Sequence, residues 1–136
     1  MYAKGYKIMH MIILLGYLYL FYAILILSLL TFNYHLVGWL IMQKNKKIYI
    51  RLEAFFVFIT AFVLFNSSPL NWVVGILMLF HLIGVGTLLF NADSFYGSIE
   101  EFYELTSQKN ILELLTVFTL TLSGFLVLYS PLIIGS

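Results

Sequence analysis

The chain has no cysteine, only two prolines among its 136 residues, and 10% charged residues. Without cysteine it forms no disulfide and offers no thiolate to zinc or to an iron–sulfur cluster. Charge this sparse, with 62% hydrophobic residues and a mean hydropathy of +1.02, excludes a water-soluble fold of this size, because no such fold hides that much apolar surface. A formal net charge of +1 excludes a nucleic-acid footprint, which needs clustered lysine and arginine. A glycine-rich phosphate loop, a nucleophile elbow and a helical metal motif are all missing, so no stretch supports soluble catalysis. No internal repeat suggests a stand-alone transporter pathway. What is present is a succession of long apolar runs, and the reading is an all-α integral membrane protein of about four spans.

The first run extends from Met9 to Met42 without a formal charge. That is about 50 Å of helix against a hydrocarbon core of about 30 Å. It also exceeds a signal-peptide core and lacks a cleavage pattern, so it is expected to stay on the chain. We place the first span at 22–42, with 1–21 as an N-terminal extension that is tilted or lies at the interface. The polar cluster Thr31–His35 supports an alternative, a span over 9–30 followed by a break. Gln43–Lys47 is the first clear loop. The second span covers 47–65 and ends at Asn66-Ser67-Ser68-Pro69, a turn signal. Trp72 suits an interfacial anchor near the start of the third span, 70–90, in which Gly75, Gly84 and Gly86 leave room for close helix contact. Residues 91–110 hold most of the acids. There Ser98 and Glu101 have capping-box spacing, predicting a short surface helix over Ile99–Leu105. Asn110 with Glu113 repeats the capping logic before a fourth span, 111–130, that stops at Pro131. Together these form a single membrane domain.

Lys44, Lys46, Lys47 and Arg51 mark the first loop as the inner side. The 91–110 loop, with Lys109, then also lies inside. The turn at 66–69 and both termini lie outside, against the weaker signal of Lys4 and Lys7.

Ionisable residues inside apolar runs are costly, roughly 2.5–3.5 kcal/mol for a carboxylate at a helix centre, and are functional candidates by default. Helix rise puts His81 about 15 Å from the outer side, Glu53 about 20 Å from the same side, and His35 about 10–12 Å from the inner side. These three side chains, on three helices, are therefore expected in one central slab. Two groups such as Glu53 and His81 can exchange a proton when water joins them. Plainer roles stay open. Glu53 can pair with Arg51 or Lys47, His81 can donate to a carbonyl on the next helix, and His35 can belong simply to its polar patch. His10, at a membrane edge, carries no expected role.

The segment Arg51-Leu52-Glu53 after a basic loop, followed in the next span by His81-Leu82-Ile83-Gly84-Val85-Gly86-Thr87-Leu88-Leu89, resembles the chain 4L subunits of NADH:ubiquinone oxidoreductase, respiratory complex I. In that family the second span opens with Gly-Leu-Glu, and the third carries a glutamate at the position of His81. Tyr96-Gly97-Ser98-Ile99-Glu100 is similar to the family's polar tail. The likeness covers about residues 22–105. Arg51 replaces a glycine, His81 replaces the second glutamate, and 106–136 adds a span to the family's three. With 13 Phe and 10 Tyr, the chain resembles a divergent version from an AT-rich mitochondrial genome.

The resemblance implies a non-redox subunit of an H+-translocating NADH:ubiquinone reductase in the mitochondrial inner membrane, with loop 43–47 on the matrix side. Its partners would be the lipid bilayer and other membrane-arm subunits. NADH, FMN, iron–sulfur clusters and ubiquinone would sit on those partners, with no cofactor, metal or catalytic residue on this chain. Glu53 and His81, with His35 as a weaker third, would serve a proton path. Two other readings are a b-type haem anchor using His35 and His81 as axial ligands, and a structural subunit of another membrane complex.

Overall fold

The computed structural model describes residues 2–134 except 68, 107 and 109, with side chains described from residue 9 onward. Six α-helices follow in order: α1 Tyr2–Thr31, α2 Leu36–Leu40, α3 Lys46–Phe65, α4 Trp72–Phe90, α5 Ala92–Leu105 and α6 Ile111–Ile133, with a short 3-10 turn at Gln43–Asn45. Among the described residues, four segments are long and apolar enough to cross a membrane: Met9–Thr31, Gln43–Phe65, Trp72–Phe90 and Ile111–Ile133. The chain is an all-helical, multi-pass membrane protein.

The first span differs from the expected 22–42 with its 1–21 extension. Helix α1 runs continuously from Tyr2 and stops at Thr31. The break lies at Asn33, which adopts φ 62°, a left-handed conformation that asparagine tolerates better than most side chains. The amide of Asn33 donates to the Leu30 carbonyl and that of Tyr34 to the Leu29 carbonyl, both at 2.9 Å. That is a Schellman closure, which satisfies carbonyls the helix end would otherwise orphan. Residues 36–40 then form a separate short helix instead of completing a span.

Helix α1 buries Ile12, Leu15, Tyr19, Ala23 and Ile26, a three-and-four spacing that marks one helix face. Leu14, Tyr17, Phe21 and Ile24 point outward, as expected of a lipid-facing side. The buried face lies antiparallel to α6, where two glycines meet. A Cβ added at Gly124 would lie 3.0 Å from the Gly16 carbonyl, and one added at Gly16 would lie 3.2 Å from the Gly124 carbonyl. Small residues at such a crossing let two backbones approach in a medium that supplies no hydrophobic drive between helices. Helices α3 and α4 form a second antiparallel pair.

Buried polar bonds tie the pairs together at one end. Asn71 caps α4 by accepting from the Val74 amide, and its Nδ2 donates to Ser130 Oγ of α6 at 2.6 Å. Ser130 Oγ in turn donates to the Val127 carbonyl at 2.6 Å, the acceptor that loses its helical partner because Pro131 has no N–H. This substitution lets α6 continue through Pro131 to Ile133, beyond the expected stop. At the opposite end, α2, α5 and the start of α6 gather around Ile26, Val37 and Ile41.

Helix α5 also departs from expectation. It starts at Ala92, with Asp93 in its first turn, so Ser98 is mid-helix and donates to the Ser94 carbonyl at 2.9 Å instead of capping. None of its residues is buried.

Candidate functional site

Glu53 and His81 meet at the centre of the bundle. Each stands near the midpoint of its span, as does Tyr19. His81 Nδ1 lies 2.7 Å from Glu53 Oε2, and His81 Nε2 lies 2.8 Å from the Tyr19 hydroxyl. An ionised carboxylate can only accept, so Nδ1–H donates to it; a neutral ring then accepts at Nε2 from the Tyr19 O–H. Three spans, α1, α3 and α4, are thus joined by one chain of two hydrogen bonds. The side chains of His81 and Glu53 keep 15% and 17% exposure, so the pair is enclosed but not sealed.

Packing fixes the ring. Phe56, one turn beyond Glu53 on α3, stacks on the imidazole at a centroid distance of 4.8 Å and 12°, and Tyr19 stacks on Phe56 at 5.3 Å. On α4, Gly84 clears the space that the carboxylate fills: a Cβ there would lie 3.3 Å from Glu53 Oε2. The Glu53 partner is therefore His81, and neither Arg51 nor Lys47 takes that place. The His81 partners are side chains, not a carbonyl.

His35 does not join this slab. It lies past the end of α1, about 18 Å along the axis from the level of Tyr19, and its Nε2 is 2.6 Å from Asn110 Oδ1. The structure therefore does not bring His35 and His81 together across a shared haem-sized gap. Among the described residues, no group of three or more His, Asp or Glu side chains is placed to hold a metal ion.

Two acidic or phenolic groups were not singled out by the sequence. Tyr19 falls in the segment expected to be an extension and looks like one more apolar residue in its run. The signal available was its place in the three-and-four spacing of the buried face. Glu113 reads as a capping residue, yet Asn110 makes no cap bond, and Glu113 turns inward to accept from the Gly38 amide at 2.8 Å. Glu113 is fully buried, and among the described residues its Oε2 has no hydrogen-bond partner.

Beside Glu113, a cavity of about 810 Å3 opens between α2 and α5, lined in part by His35, Gly38, Trp39, Tyr96 and Tyr103. Burial pushes the phenols of Tyr96 and Tyr103 above their ordinary range, and at Tyr103 the nearby Glu113 charge adds to the effect.

Comparison with family models, curated proteins and solved structures finds no match. The functional reading therefore rests on the geometry and on the short motifs around Glu53 and His81.

Proposed function

We propose that this chain carries protons at mid-membrane as a non-redox, membrane-arm subunit of a proton-translocating NADH:ubiquinone oxidoreductase. The observation that carries the relay is the placement of His81 between Glu53 and Tyr19 at 2.7 and 2.8 Å. An imidazole so placed can take a proton at Nε2 while releasing the one on Nδ1 to the carboxylate, which makes it a through-conductor. The starting state returns once Tyr19 has regained a proton, Glu53 has released one and the ring hydrogen is back on Nδ1, with one proton moved.

The assembly is the one the motif resemblance implies, in the mitochondrial inner membrane with loop 43–47 facing the matrix. NADH oxidation, flavin and iron–sulfur electron transfer and ubiquinone reduction belong to partner chains. Where the resembling family has two glutamates, this chain has one glutamate and one histidine. Two carboxylates in contact would repel, whereas a glutamate and a protonated histidine attract. Charge coupling along the proton path is correspondingly different here. Helix α6, the span beyond the family's three, packs along α1 and is integral to the bundle.

Glu53→Gln in the intact assembly tests the relay. The expected result is an assembled complex with proton translocation largely lost. Normal translocation per complex would reduce the pair to a polar stitch between helices, the role of a structural subunit. The proteins that co-purify with the chain test the assembly itself.

A further inference from the structure

The mid-membrane relay needs a group that exchanges protons with one surface, and the bundle contains a second carboxyl that the relay does not use. Glu113 sits on the third residue of α6, at the end shared by α2, α5 and the 32–47 segment. It has 0% exposure; among the described residues it makes one hydrogen bond, from the Gly38 amide to Oε1, and its Oε2 has no partner. A capping or surface role would leave that side chain in water. Instead it is turned into protein, where a polar atom without a partner is expensive and an unpaired anion far more so. A proton on Oε2 removes the charge and leaves the Gly38 bond intact.

The groups facing Glu113 are limited. Gly38 brings His35 Cβ and the Tyr103 hydroxyl within 3.5 and 3.7 Å of where its own Cβ would stand, the same point that is 3.5 Å from Glu113 Oε1. Tyr103 comes from α5, and its phenol feels the Glu113 charge. His35 comes from the turn before α2 and bonds Asn110 of the residue run leading into α6. Among the described residues, the groups that meet at Gly38 include no lysine or arginine. Both His35 and Tyr103 also line the open cavity between α2 and α5, so two groups that can carry a proton stand between that cavity and the Gly38 contact of Glu113.

Toward the membrane centre, Tyr22 and Tyr49 pack in the same cluster as Leu112 and Val117, the α6 neighbours of Glu113. By helix rise, Glu113 stands about 15 Å from the Glu53–His81 level, with these two phenols about one turn from the relay on the Glu113 side.

We propose that Glu113 is a proton-holding carboxyl, loaded from the α2–α5 cavity past His35 and Tyr103, that exchanges protons between this end of the bundle and the Glu53–His81–Tyr19 relay. Its role as the entry point rests on the proton-relay reading of Glu53; its proton occupancy does not. The chemistry is the simple addition of a proton to a carboxylate and its release, with no other bond changed.

The test is infrared difference spectroscopy of the full chain in lipid vesicles through a pH step, in H2O and D2O, for wild type, Glu113→Gln, Glu113→Asp and Glu53→Gln. The amide of Glu113→Gln keeps an acceptor for Gly38, and circular dichroism checks that helix content is retained. The expected result is loss of one deuterium-sensitive carboxylic C=O band in Glu113→Gln, its return in shifted form in Glu113→Asp, and its persistence in Glu53→Gln. A Glu113→Gln spectrum with every carboxylic band intact, in a folded protein, overturns the proposal and leaves Glu113 as an acceptor for α2 alone. Proton flux measured on the same variants in the intact assembly separates the two readings. Glu53→Gln with wild-type flux sinks the relay while the band result still decides Glu113. Reduced flux in Glu53→Gln but not in Glu113→Gln removes Glu113 as the entry.

Discussion

Glu53 and His81 are bonded at 2.7 Å across α3 and α4, and the bond exists because Gly84 has no side chain where the carboxylate lies. A Cβ at Gly84 would stand 3.3 Å from Oε2, tighter than most such contacts, and the carboxylate is held in place by the imidazole. Gly84→Ala is therefore expected to lengthen the pair, and Gly84→Val to break it. A double-mutant cycle of Glu53→Gln and His81→Gln in the wild-type background should give a coupling of about 0.5–2 kcal/mol, the range of polar bonds inside membranes. In the Gly84→Val background it should fall to zero. Coupling unchanged by Gly84→Val would mean the carboxylate does not depend on that space.

Tyr19→Phe keeps the ring on Phe56 and removes only the hydroxyl. The loss expected is about 0.5–1.5 kcal/mol of stability, one neutral hydrogen bond. The nitrogen-15 resonance of His81 Nε2 should move in the direction of a nitrogen that has lost a donor, with Nδ1 little changed. A variant with an unaltered Nε2 signal would show that Tyr19 does not bond the ring in the bilayer.

The α1–α6 crossing at Gly16 and Gly124 predicts an asymmetric response to size. An added methyl at Gly124 meets Leu20 Cγ at 2.7 Å, which can rotate, but also the Gly16 carbonyl at 3.0 Å, which cannot. Gly124→Ala should cost about 1–3 kcal/mol, and Gly124→Leu more, because the backbones must separate. Unfolding in mixed detergent checks the order; equal stability of Gly124→Leu and wild type would contradict close backbone packing.

Asn71 is buried and serves two partners, the Val74 amide and Ser130 Oγ. Asn71→Ala loses the α4 cap and leaves the Ser130 hydroxyl short of a donor, an expected cost of about 1–3 kcal/mol. Ser130→Ala should cost less to α4 and more to the α6 terminus, since the Val127 carbonyl loses the hydroxyl that replaces the proline amide. Hydrogen exchange at Ile133 and Ile134 reads that difference.

Tyr103 gives the pH prediction. Burial first, and the Glu113 charge second, raise its phenol above the ordinary value of 10.0. Where Glu113 has released its proton at the alkaline pH of this titration it is a negative neighbour, so Glu113→Gln should bring the Tyr103 titration down part of the way, leaving the burial contribution. A folded phenol that holds its proton more tightly than a free one contributes stability that is complete below the ordinary value and declines as pH rises through the folded one. Ultraviolet titration of wild type and variant shows the direction, and an upward shift in Glu113→Gln would contradict it.

The sequence by itself determined the class of the protein and most of its spans. Apolar runs of bilayer length cannot be anything but membrane helices, and the boundaries of α3, α4 and the start of α6 follow from polar turns at 43–47, 66–71 and 106–110. It also determined that Glu53 and His81 are costly at mid-depth, because helix rise converts residue number into depth. What depth cannot supply is rotation about each helix axis, which decides whether two residues in one slab face each other. Only the tertiary structure set Glu53 against His81, drew Tyr19 into the same bonds, left His35 with Asn110 outside the bundle centre, and turned Glu113 inward. The break at Asn33 was legible only as one of two alternatives, for a related reason. Thirty-odd apolar residues allow a span at either end of the run, and the choice fell to the packing of α1 on α6 through Gly16 and Gly124, a contact between segments more than a hundred residues apart.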